Sequence, residues 1–252
     1  MARRARRPRK SARPRHGSTS GKRARSFVRP ILASLGVLAL ICVLGTVGAV
    51  ALLRHVDPPV TAMMLQQPMP IRSQAHVWVG RDAIAAAAAH AVIAAEDQRF
   101  LTHNGFDFAS IEKAVAEYRA GGELRGASTI TQQVAKNLFL WPGRSFVRKG
   151  IEAYFTLLIE SFWPKERILE VYLNVAELGE GVFGVEAAAR KYFGIAARDL
   201  GDEQAALLAA VLPNPKRLRA DRPSDYVEGR RAWILRQMRS LRADGHYREL
   251  DW

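Results

Sequence analysis

The chain has 252 residues, 48% of them hydrophobic and 25% charged, a balance that excludes a natively unfolded protein and suits one anchored domain of ordinary size. The formal net charge of +14 suggests nucleic acid only if read whole: residues 1–29 hold twelve Arg or Lys and no Asp or Glu, leaving 26 basic against 24 acidic residues. Cys42 is the single cysteine, which excludes an intrachain disulfide and a cysteine-based metal site.

In chain order, residues 1–30 read as a basic, solvated cytoplasmic tail that sets topology and binds no nucleic acid. Residues 31–53 are 23 positions without a charge, bounded by Arg29 and Arg54. A spanning helix needs about 20 apolar residues and a signal peptide only about 7–15, so 31–53 is predicted to cross a membrane and to stay attached. The basic flank then stays inside and the remainder lies outside. Pro58, Pro59, Pro68 and Pro70 predict an extended linker over 54–74. The folded domain is expected over 75–252, opening with a short strand in 76–79.

Helices are predicted over 82–97 with Asp82 as N-cap, over 107–120 before Gly121-Gly122, and over about 128–139 before Pro142-Gly143. A further helix spans about 145–162 and ends at Trp163-Pro164. In it Ile151, Tyr154, Phe155, Leu158 and Phe162 follow the spacing of one buried face. Helices over 165–177, 184–192, 202–212 and a basic 224–243 complete the chain. The fold class is mainly α.

Glu96 ends an apolar helix, where partial desolvation would raise its pKa and suit it to proton transfer. A surface pair with Arg99 at i+3 is the reading that helical statistics alone favour. Asp97 suits a loop-holding role and His103 a turn, neither with a partner at metal-ligand spacing. Gly105 permits a turn. In GASTITQQVAKN (126–137), Ser128 and Thr129 open a helix and make a candidate anion site, with Gln133 and Lys136 as further donors. Ordinary capping by Ser128 or Thr129 is the alternative. Arg144, Arg148, Lys149 and Glu152 form a cationic cluster around a carboxylate, fit to attract a phosphate-bearing donor; a surface ion-pair ladder is the bland alternative. Glu160, Glu170 and Glu177 read as structural pairs or caps. Two carboxylates and an anion site suit sugar transfer with a pyrophosphate leaving group.

Five blocks appear in one order: EDQRFLTHNGFD (96–107), GASTITQQVAKN (126–137), RKGIEAYFTLLIE (148–160), KERILEVYLNVAELGEGVFGVEAAARKYF (165–193) and DEQAALLAAVLPNP (202–215). They resemble the family 51 glycosyltransferases, the peptidoglycan glycosyltransferases. The resemblance implies a lysozyme-like helical domain behind a single N-terminal transmembrane helix in the inner (cytoplasmic) membrane. It implies lipid II as acceptor, a growing glycan strand on undecaprenyl pyrophosphate as donor, and an inverting β-1,4 transfer. By likeness Glu96 is the general base and Glu152 the second catalytic carboxylate. Gln133, Lys136, Arg144 and Lys149 match positions that meet the donor phosphates. The family pattern allows a divalent cation, Mg or Mn, at the pyrophosphate, though no dedicated cage is visible and no metal ligand is assigned. Ala127 departs from the usual second Gly and narrows backbone freedom there.

About 37 residues follow Pro215, too few for a further domain of about 100–150 residues, so the monofunctional form is expected. Membrane lipid is an expected partner through some of Phe106, Phe108, Leu138, Phe139, Leu140 and Trp141, with core packing as the alternative for each. Other cell-wall synthesis or division proteins are compatible partners. The rival functions are a lysozyme-like glycan-cleaving enzyme and a non-catalytic membrane-anchored scaffold.

Overall fold

The structure is a computed structural model that describes residues 20–122, 128–143, 145–250 and 252, with side chains from residue 32 onward except at 249. Most of the expected basic tail, together with Gly126, Ala127 and Arg144, lies outside the described residues. The chain divides into two compact units, one ending at Val47 and one running from Gly48 to Trp252.

Helix α1 (Ser20–Leu53) contains the expected apolar span and begins well before it. Its segment Leu32–Leu53 has a mean hydropathy of 2.6 and is long enough to cross a membrane. Leu35, Leu38, Ile41 and Leu44 stand exposed along it.

Within the second unit the last turn of α1 is fastened by side chains. Trp163 Nε1 donates to Val50 O at 2.8 Å, and Arg167 Nη2 donates to Leu53 O at 3.0 Å and Val56 O at 3.1 Å. A guanidinium suits the carbonyl end of a helix.

Residues 54–74 are not the free extended linker that their prolines suggested. Thr61 caps a short helix, α2 (Ala62–Leu65), which buries Met64 and packs on a later helix, with Gln66 Nε2 donating to Leu140 O at 3.0 Å.

The core is built around α3 (Ala86–Glu96), whose run of Ala, Val and Ile packs against α9 (Asp202–Val211) and α10 (Asp225–Ala243). Small side chains let these helices approach closely. The expected helix over 82–97 is split. After a 3-10 turn the chain runs extended through Ile84 and Ala85, which buries Ile84 and lets Ala85 N–H donate to Ala197 O at 3.0 Å. Asp82, 97% exposed at its side chain, caps nothing.

Helix α4 (Phe108–Arg119) is capped by Asp107, and α5 (Ile130–Phe139) by a capping box between Thr129 and Gln132. Helices α6 (Phe146–Phe162) and α7 (Lys165–Val175) pack against α5. The buried face of α6 is Glu152, Phe155, Thr156 and Ile159, while Ile151, Tyr154, Leu158 and Phe162 are half-buried. An apolar pattern misses a face whose inward positions include a carboxylate and a hydroxyl, both satisfied by partners.

Helix α8 (Val185–Phe193) follows a small sheet: β1 (Ala75–His76) runs parallel to β3 (Val182–Phe183), which pairs antiparallel with β2 (Glu177–Gly179). The strand expected over 76–79 stops early because Asn174 takes both backbone groups of Val79, at 3.0 Å each.

Gly105 sits at φ +82°, and an added Cβ would lie 2.6 Å from Thr156 Cγ2 and 2.9 Å from Glu160 Cγ. Gly105→Ala is therefore expected to cost about 2–4 kcal/mol, read as a lower denaturant midpoint. An unchanged midpoint would mean that α6 moves aside freely.

Candidate active site

Helix α3 carries Glu96 on its last turn, with Asp97 as the capping residue. Asp97 is buried, and its Oδ2 accepts the Ile130 N–H at 3.0 Å, joining the end of α3 to the start of α5. His103 Nε2 lies 2.9 Å from Asp97 Oδ1, while His103 Nδ1 accepts from Gly105 N–H at 3.2 Å. The network therefore puts the imidazole proton on Nε2, aimed at Asp97. Asp97 holds the loop as expected, and His103, read as a turn residue, is its partner.

The Glu96 side chain keeps 17% of its exposure. Its Oε2 accepts from Gln133 Nε2 at 2.9 Å, and its Oε1 lies 3.4 Å from Arg230 Nη2 of α10. Burial pushes the Glu96 pKa above the ordinary carboxylate range, with Gln133, then Arg230 and Lys136, drawing it partway back. The surface pair with Arg99 does not form, because Arg99 bonds Asp107 at 3.0 Å.

Across α5, Gln133 and Lys136 share one face at i, i+3. The Lys136 ammonium is pulled down by burial and feels both Glu152 and Glu96, together with Arg148 and Lys149. Among the described residues it has no hydrogen-bonded partner. Glu152, buried on α6, receives Arg148 Nη1 at 2.7 Å on one oxygen and Lys149 Nζ on the other. The cluster is thus no surface ladder: the Glu152 side chain is 4% exposed and that of Arg148 12%.

Lys149 Nζ also reaches Ser128 Oγ at 3.3 Å. Ser128 lines a cleft of about 380 Å³ that also contains Glu96, Arg99, Lys113, Thr129 and Trp233. Glu96 lines this cleft directly, and Lys149 approaches it through its bond to Ser128. Thr129 contributes differently from the expected donor. Its one hydroxyl proton goes to Gly105 O at 2.7 Å, and the oxygen caps α5. Arg144 lies outside the described residues.

A divalent cation fits these donors poorly. Both Glu152 oxygens are engaged, and among the described residues no three His, Cys, Asp or Glu side chains converge. Positive charge at this wall comes from the side chains themselves.

Two residues escaped the sequence reading. Arg230 is one of several basic residues on α10, and no local spacing distinguishes it. Tyr172 reads as an ordinary core aromatic inside its motif.

A desolvated carboxylate beside a fixed row of cations, in a mainly α domain, defines an acid–base enzyme built for an anionic leaving group. The sequence model of the transglycosylase family matches residues 63–239, and the chain belongs to that family. The match begins inside the segment expected as linker. The chain is 51% identical over 220 residues to the biosynthetic peptidoglycan transglycosylase of Aeromonas hydrophila, covering 86% of this chain and 94% of that one. It is 53% identical to the proteins of the same description from Bdellovibrio bacteriovorus over 210 residues (79% and 82%) and Pseudomonas fluorescens over 209 residues (80% and 87%).

Proposed function

We propose that the chain polymerises lipid II into β-1,4 glycan strands with release of undecaprenyl pyrophosphate. Residues 1–30 are then a cytoplasmic tail, 31–53 a single pass through the inner membrane, and the catalytic domain lies outside. Glu96 takes the proton from the acceptor 4-hydroxyl. The freed oxygen attacks the donor anomeric carbon from the opposite face, so a C–O bond forms as the bond to the diphosphate oxygen breaks. The departing diphosphate keeps the electron pair, and Lys136, Arg148 and Lys149 face its charge. Ser128 and Gln133 add polar contacts at the junction, and Arg144, outside the described residues, is a further diphosphate contact by family likeness alone. Glu152 holds two of the cations in place.

The observation that carries this reading is Lys136. It lies one turn along α5 from Gln133, which bonds Glu96 at 2.9 Å, and this shared face supports placing both carboxylates in one reaction centre. A long prenyl chain leaves a bilayer at a cost of about 0.8 kcal/mol per CH₂, so the site must work at the membrane surface. Exposed Phe108, Trp141 and Phe146 suit that contact. Leu138 and Leu140 are core residues, and Phe139 stacks on Phe155 at 4.2 Å.

The test is incubation of the purified full chain with labelled lipid II. A ladder of long glycan on a gel is the expected product. Shortening of added polymer would mean cleavage, and an unchanged substrate would leave only a binding role; either result overturns the proposal.

A further inference from the structure

Tyr172 is the largest of the fully buried side chains, yet it keeps a hydroxyl that a core ring does not need. Among the described residues that hydroxyl has one hydrogen-bond partner, Gln133 Oε1 at 3.3 Å. The other end of the Gln133 amide, Nε2, donates to Glu96 Oε2 at 2.9 Å. Three side chains from three helices, α7, α5 and α3, thus form one line that ends on the proton acceptor.

The chemistry of that line is directional. A primary amide has an acceptor end and a donor end, and a half-turn exchanges them. An ionised carboxylate only accepts, so Gln133 supports ionised Glu96 only with its NH₂ facing it. Turned over, the amide carbonyl would repel the carboxylate and favour its protonated form. Gln133 makes no other side-chain hydrogen bond among the described residues, so Tyr172 is what holds the amide the right way round. A donor on the carbonyl also polarises the amide and strengthens its N–H bond to Glu96.

We propose that Tyr172 is a positioning residue of the transfer reaction: through Gln133 it keeps Glu96 ready to accept a proton. This rests on the proposed function. The groups that face Glu96 are Gln133 and Lys136 from α5, Arg230 from α10, Tyr172 from α7 and the adjoining Asp97. Among those that lower its pKa, Gln133 is the strongest, so an amide set free has the largest consequence. Burial, with Glu96 and Asp97 nearby, pushes the Tyr172 phenol well above its ordinary value of 10.0, so the donated proton stays in place across the working range.

The experiment is a pH profile of kcat for Tyr172→Phe with lipid II. Loss of the bond to the charged form raises the Glu96 pKa, so the acid limb moves to higher pH, by about half to one unit. Above the limb the variant should match the wild type, and KM should stay within about twofold, since Tyr172 touches no substrate. In a Gln133→Met background, the same substitution should add no further shift. Superimposed profiles, a loss uniform across pH, or an additive shift in the Gln133→Met background would each overturn the inference. Should Tyr172→Phe fail to fold, Gln133→Met alone must show the upward shift, and its absence would overturn the inference as well. A wild-type chain that makes no polymer would instead remove the proposed function, a result separable from any of these.

Discussion

Glu96→Gln ends glycan polymerisation while the domain stays folded. Turnover is expected to fall about 10²–10⁴-fold, the usual share of a positioned proton acceptor, because an amide of the same shape cannot take the hydroxyl proton. Stability should be kept or slightly improved. A carboxylate whose folded pKa lies above its unfolded value contributes stability below the unfolded pKa, and that contribution is lost as pH rises through the folded pKa. At neutral pH ionised Glu96 therefore costs the fold something, and Gln removes that cost. The same upward shift sets the activity profile: the wild-type acid limb lies above the ordinary value of 4.5, since Glu96 must lose its proton first. Single-turnover polymerisation and thermal melting on the same preparation check both parts. Turnover near wild type would remove Glu96 from the chemistry.

Glu152→Ala should lose both stability and activity. Glu152 is buried against Arg148 and Lys149, so its removal leaves two neighbouring cations without their shared carboxylate. Breaking a buried pair costs about 3–5 kcal/mol. Lys149, 47% exposed at its side chain, recovers part of its share from water, so about 2–4 kcal/mol is expected here. That corresponds to a melting point lower by about 5–15 °C. Turnover should fall by about 10²-fold or more, because the cations no longer stand where leaving-group charge develops. Glu152→Gln, which keeps the volume, separates the two losses: stability should partly return and turnover should not. A Glu152→Ala chain with wild-type melting and turnover would return the cluster to an ordinary surface ladder.

Local signals made much of this chain legible. Helices α4, α5, α6, α9 and α10 lie within a residue or two of their expected limits, because Asp107, Thr129 and Ser145 cap where polar residues precede an apolar rhythm. The wording around Glu96 and Glu152 proposed a site through family resemblance. The failures share one cause, a partner distant in sequence. Ile84 and Ala85 leave helix geometry for Ala197, and Val79 leaves strand geometry for Asn174. Thr129, expected either to bind or to cap, caps α5 as local spacing allowed, while its bond to Gly105 O could not be read locally. Arg230 meets Glu96 only once α10 folds back on α3.

Asp97 ties the backbone of α5 to the end of the helix that bears Glu96. In a mutational screen scored only by lost polymer, Asp97 would rank beside its neighbour, although its oxygens are held by His103 and the Ile130 N–H. A screen that also weighs soluble yield would part them, with one variant abundant and silent, the other scarce.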